Sequence, residues 1–154
     1  MAATRQVLAG AAILPQPAFR APADGVLSDS QIDQFLRVRR ASKGRTDAEA
    51  ARALGIPPEE FAWARARIVE ALAALDDRRV REASAEVYAK TLAQMRAARA
   101  AVRDPQRARI VDEQIAVLER ERASLRREAT AAPALQMNMQ RVAGRRAELE
   151  PLAP

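Results

Sequence analysis

The chain has no cysteine and no histidine among its 154 residues. Without cysteine it can form neither a disulfide nor a thiolate metal site, and its redox compartment leaves no trace in the sequence. Without histidine it lacks the commonest general acid–base group and metal ligand of proteins. The two absences remove most of the usual catalytic and metal-binding arrangements.

Glycine and aromatic residues are also scarce, with five glycines and an aromatic fraction of 3%. Much of the apolar content is alanine, which is the best helix former, and Leu, Arg, Gln, Met and Glu follow it closely. The composition therefore predicts an all-α protein whose helices approach closely through alanine-lined contacts.

The carboxylates show no catalytic pattern. Asp76 and Asp77 are adjacent, so on a helix they project about 100° apart and do not converge on one substrate. Most other acidic residues have arginine neighbours at helical spacing. No nucleophile, base and orienting group come together, so we predict a non-enzymatic protein with no catalytic, cofactor-binding or metal-binding residue.

No apolar stretch approaches the roughly 20 residues of a membrane-spanning helix. The first residues, with Arg5, an apolar run from Val7 to Leu14 and then Ala21-Pro22-Ala23, loosely follow a secretory signal. Two readings stay open: a cleaved signal, or an uncleaved arm over residues 1–26 that its prolines keep extended. Under the second reading the apolar residues of the arm are candidate partner contacts. They are Val7, Leu8, Ile13, Leu14 and Phe19.

Residues 27–154 read as a single helical domain that opens with a helical corner at 27–56. Ser28 with Gln31, and Thr46 with Glu49, have the spacing of two capping boxes, and each predicts the start of a helix. Gly55 suits the left-handed cap that ends the second, short helix.

A long antiparallel helical hairpin is predicted next. Residues 57–103 contain no glycine, and no proline beyond the opening pair, so they predict one long helix. Its apolar spacing slips across residues 76–79, where we expect a kink, a stutter or a short break between two packing environments. Asp104-Pro105 predicts a stop and restart, followed by a return helix over 105–130 and, from Pro133, a short C-terminal helix over 133–148. The last residues should fray.

Residues 47–67 resemble a helix-turn-helix of small bacterial DNA-binding domains. Ala51 falls at the crowded position between the helices and Gly55 at the turn. Such a motif would place the start of its second helix in the major groove. That start carries Glu59 and Glu60 after a proline pair, and it offers no side chain that reads base edges.

A second resemblance covers residues 27–75. The segments Leu-Ser-Asp-Ser-Gln-Ile-Asp-Gln-Phe-Leu-Arg-Val and Gly-Ile-Pro-Pro-Glu-Glu-Phe-Ala-Trp-Ala-Arg look like the first block of small, often exported bacterial helical proteins. The resemblance implies a packing module without known chemistry, and an envelope location.

The remaining candidates for partner binding are basic and aromatic. A basic cluster near the end of the first helix suits anionic lipid head groups or phosphate, or else complements the helix dipole as a solvated face. It consists of Arg37, Arg39, Arg40, Lys43 and Arg45. Trp63 and Tyr88 are either interface anchors or half-buried helix residues. Met137 and Met139 should fill gaps in the core.

These features together predict a scaffold. The leading hypothesis is a membrane-extrinsic subunit, with the periplasmic side slightly favoured, that binds other protein subunits of a large bacterial complex. In general character it is similar to the helical polypeptides that brace a reaction centre within its antenna ring in some phototrophic bacteria. The alternatives are a helix-turn-helix protein that binds DNA through residues 47–67, and a periplasmic helical chaperone or adaptor.

Overall fold

The computed structural model describes residues 18–127 and 131–153 of the chain. Within these ranges the chain is helical and forms no strand, which confirms the predicted all-α fold. The elements are α1 (Asp29–Ala41), α2 (Asp47–Ala53), α3 (Pro58–Ala101), α4 (Pro105–Arg126), α5 (Pro133–Ala143), α6 (Arg146–Leu149) and a closing 3-10 turn (Glu150–Leu152).

The first two helices begin where their capping boxes predict. Gln31 N donates to Ser28 Oγ at 3.1 Å, and Ser28 N donates to Gln31 Oε1 at 3.0 Å. Thr46 and Glu49 make the same reciprocal pair at the start of α2. Each box satisfies two backbone donors that the first turn of a helix leaves without partners, so local sequence is enough to fix these starts.

The core lies at one end of the molecule, which we call the head: residues 18–75 together with 131–153. Here α1, α2, the first half of α3, α5 and α6 enclose the largest buried side chains. Phe35 and Phe61 stack at its centre, with their ring centroids 5.7 Å apart and nearly parallel. The other large members are Leu27, Ile32, Leu36, Val38, Ile56, Ile68, Leu72, Met139, Val142 and Leu149.

The second half of α3 leaves the head and packs against α4, and we call residues 76–126 the hairpin. The predicted antiparallel hairpin is thereby confirmed. Asp104 closes its tip, where Asp104 Oδ1 accepts a hydrogen bond from Gln106 N at 2.9 Å. Only Ala85, Leu92 and Ala108 are fully buried along its seam. The hairpin is thus a slender two-helix rod joined to the head by one continuous helix.

The break expected at residues 76–79 is not there, because α3 runs unbroken for 44 residues. Backbone hydrogen bonds within a helix do not depend on which face is buried, so a slip in apolar spacing need not interrupt them. The slip marks instead the place where α3 passes from the head to the hairpin. The helix bounds are also shorter than predicted, at 58–101 for α3 and at Arg126 for the end of α4.

The C-terminal segment differs from the prediction in two ways. The expected helix over 133–148 is divided, because α5 ends at Ala143 and α6 starts at Arg146. Of residues 151–154, which were expected to fray, Ala153 is instead buried and Leu152 O accepts a hydrogen bond from Arg39 Nε at 2.6 Å, whereas Pro154 lies outside the described residues. Met139 is buried as expected, whereas Met137 lies on the outer side of α5 with 43% of its surface exposed.

Candidate functional site

The hairpin exposes four large aliphatic side chains in two matched pairs. Val80 and Val87 on α3 are 64% and 63% exposed, and Ile110 and Val117 on α4 are 52% and 46% exposed. Each pair is seven residues apart, which is close to two helical turns, so its members lie on the same side of their helix. Both pairs lie about a third of a turn from the buried seam of their own helix.

The two pairs fall on the same side of the hairpin. Viewed from the N-terminus of its own helix, each pair of residues is rotated away from the buried seam in the same direction. Because α3 and α4 run antiparallel, the two pairs therefore point to the same side of the hairpin. The opposite side carries the ion pair of Arg96 with Glu119, at 2.5 Å.

A shallow groove runs along the side with the exposed aliphatic residues. Met95, Ile110, Val117 and Leu118 line it together with Glu113 and Gln114. We call this side the apolar face, defined by Val80, Val87, Met95, Ile110, Val117 and Leu118.

The physical reason for the apolar face is the small number of helices in the hairpin. A helix with only one neighbour can bury only the stripe that faces that neighbour, so a broader apolar surface remains in contact with water. Full burial of a valine or isoleucine contributes about 1.5–3 kcal/mol, and each of these half-exposed side chains forgoes roughly half of that. Exposed apolar surface that is contiguous, as it is around the groove lined by Met95, Ile110, Val117 and Leu118, marks interaction sites in soluble proteins. The apolar face is therefore the candidate functional site.

The opposite side of the hairpin is held by ion pairs. Arg99 Nε lies 2.7 Å from Asp112 Oδ1. The hydrogen bond between these two side chains lowers the pKa of Asp112 and raises that of Arg99. Both groups face solvent, where such pairs add little stability. They help to set the register of α3 against α4 and leave this side charged, in contrast to the apolar face.

The predicted basic cluster is divided by the fold. Arg39 Nη1 donates to both carboxylate oxygens of Asp47 at 3.1 Å, and Arg40 Nη2 lies 3.3 Å from Glu148 Oε2. These two residues therefore tie α1 to α2 and α6. The remaining members of the cluster, Arg37, Lys43 and Arg45, are exposed at the end of α1 and in the loop that follows it.

Asp47 is the centre of the polar contacts around α2. Burial alone would raise its pKa, but hydrogen bonds from Ser42 Oγ, at 2.7 Å, and from Arg39, with the nearby charge of Arg65, outweigh burial and hold the pKa below its usual value. The carboxylate thus stays ionised and joins α1, α2 and α3. This is a structural arrangement that the sequence did not single out.

The aromatic candidates occupy different places. Trp63 is half-buried beside the core, and its ring centroid lies 6.0 Å from that of Phe19, so these two predicted partner contacts meet each other in the head. Tyr88 is half-buried on the hairpin, where its hydroxyl lies 3.4 Å from Glu121 Oε2. The other arm candidates, Val7, Leu8, Ile13 and Leu14, lie outside the described residues.

The helix-turn-helix corner folds with the expected local geometry. Ala50 and Ala51 are buried, and Gly55 takes a φ of +70° in the turn between α2 and α3. The first turn of α3 nevertheless presents Glu59 and Glu60, whose charge phosphate would repel.

The structure contains a buried polar residue, Asn138, that was not predicted from the sequence. It is only 1% exposed, its Oδ1 accepts a hydrogen bond from Leu27 N at 2.8 Å, and its Nδ2 donates to Gly25 O at 3.0 Å. The side chain thereby fastens the segment before α1 to α5. A signal was present: Asn138 falls between Leu135 and Val142 at the 3 and 4 spacing of the apolar stripe.

Two acidic residues, one in the head and one at the base of the hairpin, pair with arginines of the C-terminal segment. Asp33 pairs with Arg145, and Asp76 pairs with Arg146, so both join α6 and its approach to the helices packed beside it. Among residues 18–127 and 131–153, no group of three or more acidic side chains is placed to hold a metal ion. In the same residues no helix is long and apolar enough to cross a membrane.

Comparison with protein-family models, with curated proteins and with solved structures gives no match for this chain. The resemblances in the sequence thus stay predictions.

Proposed function

We propose that the protein is a non-enzymatic scaffold, a structural subunit that docks on helices of neighbouring protein chains through the apolar face of its hairpin. The observation that carries this proposal is that Val80, Val87, Ile110 and Val117 are exposed together on one side of a rigid rod. Helix-in-groove docking uses such rows of apolar side chains, spaced by whole turns, as anchors.

The architecture suits a scaffold because one helix links the two parts of the molecule. The hairpin portion of α3 covers residues 76–101, about 39 Å of helix at 1.5 Å per residue. No loop interrupts α3 between the head and the hairpin. A partner that is bound on the apolar face would therefore be held at a fixed distance from the head.

Attachment to a membrane surface is the finer part of the proposal. It is supported by the net charge of +6 and by the exposed Arg37, Lys43 and Arg45, which suit anionic head groups. Flotation with vesicles that contain anionic lipid tests it: binding should fall when all three residues are changed to glutamine and should persist for a matched triple change at Arg78, Arg79 and Arg126. The periplasmic side, and a photosynthetic assembly as the particular complex, are predictions from sequence resemblance alone.

DNA binding has less support from the geometry. In a helix-turn-helix the second helix must bring donors to base edges and basic groups to phosphate. Here the corresponding turn carries two glutamates, and Arg65, one turn further along, lies 3.5 Å from Asp47 within the chain. A periplasmic chaperone or adaptor would bind its partners through the same apolar face, but each partner would occupy the face only briefly.

Photo-crosslinking in the native cell tests the scaffold proposal. A photoreactive amino acid is placed at Val117 on the apolar face and, as a matched control, at Ala116, which is exposed on the charged side. The Val117 position should link to a defined set of protein chains, with the linked peptides lying in apolar helical stripes, and the Ala116 position should not. Equal linkage at the two positions, or none to any protein chain at Val117, would contradict the proposal.

A further inference from the structure

We propose that a second copy of this chain covers the apolar face, so that two hairpins pack face to face into a four-helix bundle. The inference rests on the proposed function, because it names the docking partner of the same surface. Three properties of the face support it: its area, its shape and its charge.

The area of the face matches that of a stable dimer. The hairpin is about 39 Å long, and two helices whose axes lie about 9 Å apart are about 20 Å wide. Each copy would therefore cover about 700–800 Å², or about 1,500 Å² for the two together, which is the size of a standard specific interface.

The shape of the face is self-complementary. Arg99 of α3 lies beside Asp112 of α4, and Tyr88 lies beside Glu121. These two contacts show which residues of α3 and α4 lie at the same height along the hairpin. The bulky residues of α4, Ile110 and Val117, thus lie toward the tip, where α3 carries small or flexible residues. Those residues are Gln94, Ala98 and Ala101.

Toward the head the order is reversed. Val80 and Val87 of α3 are the bulky residues there, and Ser124 of α4 lies about level with Val87. If the two-fold axis of the dimer runs parallel to the long axis of the hairpin, α3 of one copy packs against α4 of the other. Residues at the same height along the two hairpins then lie opposite each other. Ile110 of one copy then meets Ala98 and Ala101 of the other, and Val87 meets Ser124, so that large side chains lie opposite small ones at these two heights, as interdigitated packing requires.

The charge of the face also favours self-association. The Arg96–Glu119 pair lies on the opposite side, so two chains of net charge +6 can meet while this charged side stays in water. On α4 the charged residues of this side are Glu113, at the edge of the groove, and Glu121, four residues beyond Val117, whose carboxylate faces the hydroxyl of Tyr88. Between Ile110 and Val117 the same stripe carries only Gln114, and charged residues are depleted in the core of protein interfaces.

Sedimentation equilibrium of the full-length protein between about 1 and 100 µM tests the inference. We expect a mass of twice 16.8 kDa. Val117→Lys should weaken the dimer at least about 100-fold, because a two-fold interface buries two copies of the new charge at about 1.4 kcal/mol per tenfold change. Ala116→Lys, the matched change on the charged side, should leave the dimer unchanged. Far-UV circular dichroism confirms that both variants remain helical.

Engineered cysteines test the arrangement, since the natural chain has none. Copies carrying Ile110→Cys are mixed with copies carrying Ala98→Cys, and mild oxidation should join the two kinds of copy to each other in preference to like with like. Preferential joining of two Ala98→Cys copies would overturn the parallel two-fold arrangement.

The outcomes separate this inference from the proposed function. A monomer over the whole concentration range, or a dimer that both lysine variants affect equally, overturns pairing with a second copy. If the monomer nevertheless cross-links in cells to a different chain from position 117, the scaffold proposal survives with another partner. A monomer without cross-links overturns both.

Discussion

Replacing Asn138 with alanine should destabilise the protein far more than an ordinary change on the surface of α5. The side chain satisfies two backbone groups, Leu27 N in the core and Gly25 O at its edge. A buried polar group that loses its partner costs about 1–3 kcal/mol, and the half-exposed Gly25 carbonyl can recover part of that by binding water. We therefore expect a loss of about 2–4 kcal/mol in the free energy of unfolding.

That loss is a large part of the total stability of a protein of this size, which is typically about 5–15 kcal/mol. For about 150 residues it corresponds to a fall of roughly 6–12 °C in Tm. Urea denaturation followed by far-UV circular dichroism measures the difference, with Gln140→Ala on the exposed side of α5 as the matched control. The control should stay within about 0.5 kcal/mol of the natural protein.

Asn138→Asp makes the test sharper, because it keeps the acceptor for Leu27 N and replaces the donor to Gly25 O with a second oxygen. Burial should raise the pKa of this carboxyl in the folded state above its unfolded value of about 3.9. The free energy of unfolding of the Asn138→Asp variant should therefore increase as the pH falls, because protonation of the carboxyl restores a hydrogen-bond donor and removes a buried charge. If Asn138→Ala were as stable as the Gln140→Ala control, the reasoning about this contact would be refuted.

Three further predictions concern other parts of the chain. Asp47→Asn should lower the free energy of unfolding by about 1–2 kcal/mol at neutral pH. Because the pKa of Asp47 in the folded state lies below that in the unfolded state, this loss should disappear as the pH falls through about 4 and below. Equal losses of stability at pH 3 and pH 7 would contradict this prediction. Gly25→Ala should cost about 1–2 kcal/mol in urea denaturation, because Gly25 has a φ of +69°; a neutral effect would contradict that assignment. A labelled DNA duplex at low salt should show no shift with the protein, and a shift that weakens steeply with added salt would favour the helix-turn-helix alternative.

Features set by neighbouring residues were predictable from the sequence. The capping boxes at Ser28 and Thr46, and the restart at Pro105, depend on residues within one helical turn, and all three are where the sequence places them. The hairpin followed in the same way, because a short connection between two long helices forces them to lie antiparallel.

Features set by distant residues were not predictable. The frayed end was a wrong expectation because the partner of Leu152 O is Arg39, far away in the chain. The short break that was one alternative at 76–79 is absent, because a change in apolar spacing marks a change in the packing partner of a helix and does not interrupt its backbone hydrogen bonds. Asn138 was missed because its partners are more than 100 residues away: Gly25 lies in the predicted arm, and Leu27 at the start of the predicted helical domain.

The exposure of the apolar face also depends on distant parts of the chain, so it could not be predicted from the sequence. Val80 and Val87 lie within the long helix that the sequence predicts over 57–103. The spacing of apolar residues could not indicate that only one helix would be available to cover that part of α3. The site became visible when their exposure was compared with that of Ile110 and Val117 across the hairpin.

The most direct test of the central claim is whether the apolar face is covered where the protein works. Single cysteines are placed at Val117 and at Ala116, and intact cell extract is treated with excess thiol-reactive maleimide before and after denaturation. The chain is then purified, and because its natural sequence has no cysteine, any label on it lies on the introduced residue. We predict that the cysteine at position 117 is protected until denaturation while that at 116 reacts at once. Equal, immediate labelling at both positions would contradict the claim.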